Sequence, residues 1–380
     1  MKNPFKPTFG VTPPLLVGRD DLIDEFTDSL EEGPGSPGRA TIYTGARGVG
    51  KTVLLNEIEE QARVRGWLVI SETATRGFVK RITEQHLPEL LAQIDPKAIE
   101  SKMQSMGLGA IGSISWSTTS IHIPKMGLRN QLELLTGLLV ENETGLLITL
   151  DELHKHQRAE FRDFATTVQH LFREECELAF TGAGLPSSVE EILNDQVLTF
   201  LRRAERHPLG PVTLEDVAEG LRSPIEDHGR EIGEEACHEA AVATEGHPFM
   251  IQLVGYHSWK QHPEEKEIAL DDVRVGVPIA WRRLGTLVHS SSLSDVSDVA
   301  KTFLLAMAQD DGPSKMSDIE ERLGCDPNYA YVYRSRLITT GVIKRAGYGR
   351  VDFVLPYLRE YLRSHGASLV MGTAREAYDA

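Results

Sequence analysis

Ala40-Thr41-Ile42-Tyr43-Thr44-Gly45-Ala46-Arg47-Gly48-Val49-Gly50-Lys51-Thr52 is the stretch on which the reading of this chain turns. Its first five residues predict a buried strand. The next eight match G-x-x-x-x-G-K-[ST] in full, and apolar spacing from Lys51 to about Arg65 predicts the helix that must follow. In that order, strand, loop and helix form a phosphate cradle. The glycines let the backbone N–H groups from Gly45, Ala46, Arg47, Gly48, Val49 and Gly50 through Lys51, Thr52 and Val53 curl round an anion at a helix N-terminus. Lys51 then reaches the β- and γ-phosphates, and the Thr52 hydroxyl ligates Mg²⁺.

Downstream, Gly145-Leu146-Leu147-Ile148-Thr149-Leu150 is an apolar run ending in Asp151 and Glu152. A strand that ends in two acids suits Asp151 as a Mg²⁺ ligand through water and Glu152 as the group that polarises an attacking water. Further strands are predicted at Trp67–Ser71 and at Leu178–Gly182. They alternate with helices at Leu22–Leu30, Phe78–Ile94, Leu128–Glu141 and Glu160–Arg173. That alternation predicts an α/β fold, a parallel sheet with helices on both faces. Between Met106 and Pro124 the composition shifts to Gly, Ser, Thr and Ile, read as an inserted loop or β-hairpin.

From Leu214 to about His262 the pattern is helical, with breaks expected at Ser223-Pro224 and Gly246-His247-Pro248. After a serine-rich joint come helices at Val299–Gln309, Ser317–Leu323 and Asn328–Thr340, then two short strands around Gly347. Three helices and a two-stranded ribbon predict a winged helix-turn-helix. The expected divisions are a P-loop domain over 1–210, an α-helical lid over 211–290, a winged helix over 291–366 and a tail over 367–380.

Of the 380 residues 41% are hydrophobic and 25% charged, values typical of a soluble globular chain. No apolar window reaches the length of a membrane span, and the start of the chain lacks the apolar core of a signal peptide. Three cysteines without metal or redox spacing fit a reducing cytoplasm. The net charge of −16 opposes wholesale coating by nucleic acid but leaves room for a local basic face. In the last helix and wing, Arg334, Arg336, Lys344, Arg345 and Arg350 are the residues that would meet duplex DNA, a protein partner being the alternative.

These residues resemble the AAA+ class of P-loop ATPases, and within it the initiator-like and STAND branches that join such a module to a winged helix. Val17-Gly18-Arg19-Asp20 is similar to the hydrophobic-Gly-Arg-acid box bordering the adenine, which implies nucleotide contacts at Val17 and Arg19. The resemblance implies a polar sensor at Thr181 and an arginine finger among Arg202, Arg203 and Arg206, with Arg203 the candidate. Gly246-His247-Pro248-Phe249 resembles the Gly-x-Pro signature of the STAND lid, with Pro248 against the base. Where the initiator branch carries a lid arginine as a second sensor, this chain has Gly246-His247-Pro248, a departure toward the STAND side.

Two functions remain open on the sequence. One is an ATP-dependent switch and ATP hydrolase that binds ATP or ADP with Mg²⁺, closes its lid and forms an ATP-dependent homo-oligomer. The other is an initiator-like or regulatory DNA-binding protein in which ATP is mainly structural.

Overall fold

The computed structural model describes residues 2–8, 12–13, 15–94, 99, 101–102, 105, 115–117, 120–122, 126–154, 158–194, 199–294 and 296–366. The chain divides into two compact units. One comprises Arg19–Thr44 and Leu54–Pro208; the other comprises Met1–Gly18, Gly45–Val53 and the chain from Leu209 onward. The chain re-enters the second unit at Leu209. The N-terminal arm and the phosphate loop, however, belong with the C-terminal half, and the expected lid and winged helix share that unit.

In the first unit α1 (Asp20–Glu32) begins where the Arg19 carbonyl accepts from Leu22 and Ile23 N–H and ends at Gly33. β1 (Ala40–Thr44), α2 (Lys51–Val64) and β2 (Leu68–Thr73) follow. The expected helix from Phe78 is three pieces: α3 (Phe78–Arg81), a π-helical turn (Ile82–His86) and α4 (Leu87–Leu91). The hairpin expected within 106–124 is present as β3 (Ser115–Ser117) paired antiparallel with β4 (Ser120–His122), the remainder of that segment lying outside the described residues. Next are α5 (Leu128–Val140), β5 (Leu146–Leu153), α6 (Arg158–Arg173), β6 (Leu178–Gly184), α7 (Pro186–Leu193), a 3-10 turn (Thr199–Arg203) and β7 (Glu205–Pro208).

The main sheet has the order β2-β5-β6-β1-β7 with every pair parallel. Ile42, Ile70, Ile148 and Phe180 face a core shared with Phe78, Leu132, Leu135, Phe161 and Phe164 from the helices. Each such side chain contributes roughly 1.5–3 kcal/mol on burial. Thr41, Thr149 and Thr181 stand in register across three strands. Thr149 Oγ1 donates to Glu59 Oε1 of α2 at 2.5 Å, and Thr41 Oγ1 donates to Gly38 O at 2.9 Å.

In the second unit the arm is tied down: Asn3 Nδ2 donates to Tyr256 O at 3.1 Å, and Phe5 is buried against Gly255. The helices are α8 (Leu214–Asp227), α9 (Glu234–Val242), α10 (Pro248–Trp259) and α11 (Leu270–Leu284), with β8 (Glu231–Ile232) paired to β9 (Glu267–Ile268). The break expected at Ser223-Pro224 is absent. Val217, Gly220, Leu221, Pro224 and Ile225 form one buried stripe through the proline, and its burial outweighs the single backbone bond that proline forfeits.

α11 runs into a π-helical turn (Gly285–His289) and α12 (Ser290–Ser294). The C-terminal module follows as α13 (Asp298–Met307), β10 (Ser314–Lys315), α14 (Met316–Leu323), α15 (Pro327–Thr339), β11 (Ile343–Arg345) and β12 (Arg350–Phe353). Its antiparallel sheet has three strands, β10-β12-β11, rather than the expected two, because Ser314 and Lys315 pair with Val351 and Arg350. The order of the module is helix, strand, helix, helix, strand, strand. The tail over 367–380 lies outside the described residues.

Candidate functional site

The phosphate loop is the turn out of β1. Gly48 has φ +79°, a conformation that an L side chain adopts only with strain. A Cβ there would stand 2.6 Å from His247 Cε1, so glycine is required by packing as well as by dihedral. Lys51 Nζ donates to the loop's own carbonyls, Gly45 O and Ala46 O, at 2.8 Å each. A loop of consecutive N–H groups with an ammonium folded over it and an exposed Thr52 at the start of α2 fits a polyphosphate with its divalent cation.

His247 and Phe249, around the start of α10, meet this loop in a way the sequence did not indicate. His247 Nε2 lies 3.2 Å from Arg47 O, and Phe249 N donates to Gly48 O at 3.3 Å. Burial drives the His247 pKa down to about 4; the Arg47 carbonyl opposes that fall and the Lys51 charge adds to it. Pro248 opens α10, and its Cβ lies 3.9 Å from where a Cβ on Gly50 would be. On another side, Arg47 Nη1 donates to Ser291 O of α12 at 3.0 Å. His247, Phe249 and Ser291 were missed as loop contacts. The only sequence signal was the Gly246-His247-Pro248 turn itself.

Val17 packs against α8, where a Cβ on Gly220 would meet its methyl at 3.1 Å. Arg19 is the N-cap of α1.

In the sheet unit, Asp151 and Glu152 lie at the carboxyl end of β5, where a parallel sheet leaves its ligand crevice. The register slips there: Leu150 pairs with Gly182 but Leu153 pairs with Gly184, so the strand carries one extra residue. Glu152 absorbs it with φ +54°, and its N–H donates to Asp151 Oδ1 at 2.7 Å. A non-glycine residue held in that region costs about 1–2 kcal/mol, and bulges of this kind re-aim side chains next to functional sites.

Thr181 lies inside β6, which runs two residues beyond the expected end at Gly182. β6 continues to Gly184, leaving Thr181 fully buried in the strand's interior, its hydroxyl without a hydrogen-bond partner among the described residues. Arg203 is exposed at the end of the 3-10 turn, Arg202 Nε donates to Leu193 O at 2.8 Å, and Arg206 lies on edge strand β7.

On the C-terminal module Arg336, Lys344, Arg345 and Arg350 are exposed. Arg334, expected beside them, is buried and lies over the Tyr331 ring at 5.3 Å. It shares the inward face of α15 with Ala330 and Leu337. Tyr329, Tyr331 and Tyr348 are exposed as well. Residues 291–366 hold ten basic and ten acidic side chains, so the module is neutral within an acidic chain. Lys301, Arg322, Arg359 and Arg363 are paired with aspartates.

The all-parallel sheet and the glycine loop that leaves β1 define a P-loop ATPase fold. Residues 15–180 match the AAA ATPase domain family, and residues 286–362 match a domain of unknown function, DUF8462. Over 359 residues the chain is 23% identical to an uncharacterized HTH-type transcriptional regulator of Methanocaldococcus jannaschii, spanning 90% of this chain and 87% of that one. The Walker-type ATPase paby2304 of Pyrococcus abyssi has a similar fold, with a TM-score of 0.65 at 17% identity over 92% of this chain and 96% of that one. Among the described residues no helix is long and apolar enough to cross a membrane.

Proposed function

We propose that this chain is an ATP-operated switch of the STAND kind, working in the cytoplasm, that hydrolyses ATP and reports the state of its phosphate loop to the C-terminal winged helix. One observation carries this reading: the loop is bonded to the lid through His247 and Phe249 and to the joint before the winged helix through Arg47 and Ser291. A phosphate drawn into the loop competes for Lys51, which donates to Gly45 O and Ala46 O. Any rearrangement that follows is felt at both attachments.

In this reading Gly45 to Val53 cradle the phosphates, Val17, Arg19 and Pro248 border the base, and Thr52 with Asp151 hold Mg²⁺. The metal supplies charge neutralisation between the phosphates. Glu152 orients and deprotonates the attacking water, Thr181 acts as the polar sensor, and Arg203 completes the site of a neighbouring copy in an ATP-dependent homo-oligomer. The test is the mass in solution with no nucleotide, ADP or a slowly hydrolysed ATP analogue, with Lys51→Ala as control. Growth with the analogue alone supports the switch. Unchanged ATP affinity of Lys51→Ala by calorimetry removes the loop from its role.

A second reading, a DNA-binding regulator in which ATP is mainly structural, is favoured by the exposed Arg336, Lys344, Arg345 and Arg350 beside exposed tyrosines. The similarity to an HTH-type regulator supports it too. A duplex affinity that falls steeply with salt, and that Lys344→Ala/Arg345→Ala flattens, supports this reading. A salt-independent signal argues for a protein partner.

A further inference from the structure

Two lid residues hold two successive carbonyls of the phosphate loop, Arg47 O at 3.2 Å from His247 Nε2 and Gly48 O at 3.3 Å from Phe249 N. A trans peptide points its C=O and the following N–H in opposite directions, and no cis bond interrupts the described chain. Fixing these carbonyls on the lid side therefore turns the N–H groups of Gly48 and Val49 away from the lid. We propose that His247 is a positioning residue for nucleotide binding: by holding the Arg47 carbonyl it aims the Gly48 N–H at the β-phosphate. This rests on Gly45–Thr52 being the nucleotide site.

The imidazole is suited to the task. A carbonyl only accepts, so Nε2 carries the proton and Nδ1 presents a lone pair, which is buried without a partner among the described residues. With its pKa lowered to about 4 by burial, the ring is neutral and in one tautomer near pH 7.

Its place is fixed from both sides. Gly246 has φ +71°, its carbonyl accepts from Val212 N at 2.7 Å, and a Cβ on it would stand 2.4 Å from Val212 O. On the other side the ring meets Gly48, where no side chain intervenes.

Action through the backbone differs from direct contact with the γ-phosphate. The β-phosphate is common to ADP and ATP, so a positioning role weakens both alike, whereas a γ-phosphate contact weakens ATP alone. The experiment is calorimetry on the full chain with ADP and with a slowly hydrolysed ATP analogue, comparing wild type, His247→Phe and His247→Gln. Phenylalanine keeps a ring but has no donor, and glutamine offers an amide donor at about the reach of Nε2.

His247→Phe should weaken both nucleotides by the same factor, about tenfold, as expected for one buried backbone acceptor left without its donor. His247→Gln should recover most of that loss. Affinities of His247→Phe within about twofold of wild type overturn the proposal, as does a loss confined to the ATP analogue. Equal loss in His247→Phe and His247→Gln also overturns it, because the ring would then matter for packing and not for its donor. If wild type binds neither nucleotide, the nucleotide site itself is refuted rather than the part played by His247.

Discussion

Replacing Gly48 by alanine tests how tightly His247 and the glycine loop are fitted. At φ +79° the new methyl would lie 2.6 Å from His247 Cε1, 3.1 Å from Nε2 and 3.5 Å from Phe249 Cβ. The ring is buried and cannot swing into solvent to make room. The left-handed backbone costs alanine about 1–2 kcal/mol. Displacing the ring forfeits its hydrogen bond to Arg47 O, about 1 kcal/mol more. The free chain escapes both penalties by undocking the loop, and nucleotide binding must restore the strained arrangement. The cost therefore falls on affinity: about 2–3 kcal/mol, or on the order of a hundredfold for ADP and ATP alike. Calorimetry reads this directly. Gly33→Ala is the control, because Gly33 also has positive φ, +90°, but nothing lies within 4 Å of its Cβ position. It should reduce thermal stability and leave affinity unchanged. Gly48→Ala binding nucleotide within about threefold of wild type would refute the claim that His247 packs on the loop.

Glu152→Gln should keep ATP bound while slowing hydrolysis by about a hundredfold or more, as loss of a general base does; hydrolysis at the wild-type rate removes Glu152 from that role. Arg47→Met deletes the donor to Ser291 O and should abolish any nucleotide dependence of proteolysis across residues 290–297; a cleavage pattern still responsive to ATP shows that the signal runs elsewhere. His247 and His289 are both lowered to about 4 from an ordinary 6.5, each mainly by burial. The unfolded chain therefore binds more protons between those values, so stability should be full above about pH 6.5 and fall as pH drops toward 4. Urea midpoints followed by tryptophan fluorescence measure this, and a midpoint flat across that window contradicts it. Asp310, held down to about 2 chiefly by its hydrogen bonds to Arg322, contributes stability above its ordinary 3.8 that disappears as pH falls toward 2. Asp310→Asn should flatten that acid limb, and an unaltered acid transition counts against the pair.

Several elements were legible because one local rule sufficed. The β1 strand, the glycine loop and α2 follow from composition and spacing over about a dozen residues, and β5 reads from a single apolar run into Asp151. Other readings failed where packing overrode a local sign. Gly182 looks like the end of the strand, yet β6 continues to Gly184. Gly182 and Gly184 are thin positions in β6, where a Cβ would stand 2.7 Å from Leu153 Cδ1 and 2.9 Å from Leu153 O respectively. Pro224 looks like a break and is carried inside α8 by the buried stripe on either side of it. Arg334 looks like a groove residue, yet the spacing Ala330, Arg334, Leu337 is that of an inward helical face.

The sequence by itself determined where the glycine loop lies and which residues it carries, because such a motif is contiguous and its order can be read directly. It also determined the class of sheet that presents the loop. Only the tertiary structure decided what holds the loop. His247 lies 200 positions from Arg47, and Ser291 lies 244 positions from it. No pattern of spacing connects residues so far apart. Their meeting is set by how the helices after Leu209 pack, and that same packing places the phosphate loop in the C-terminal unit.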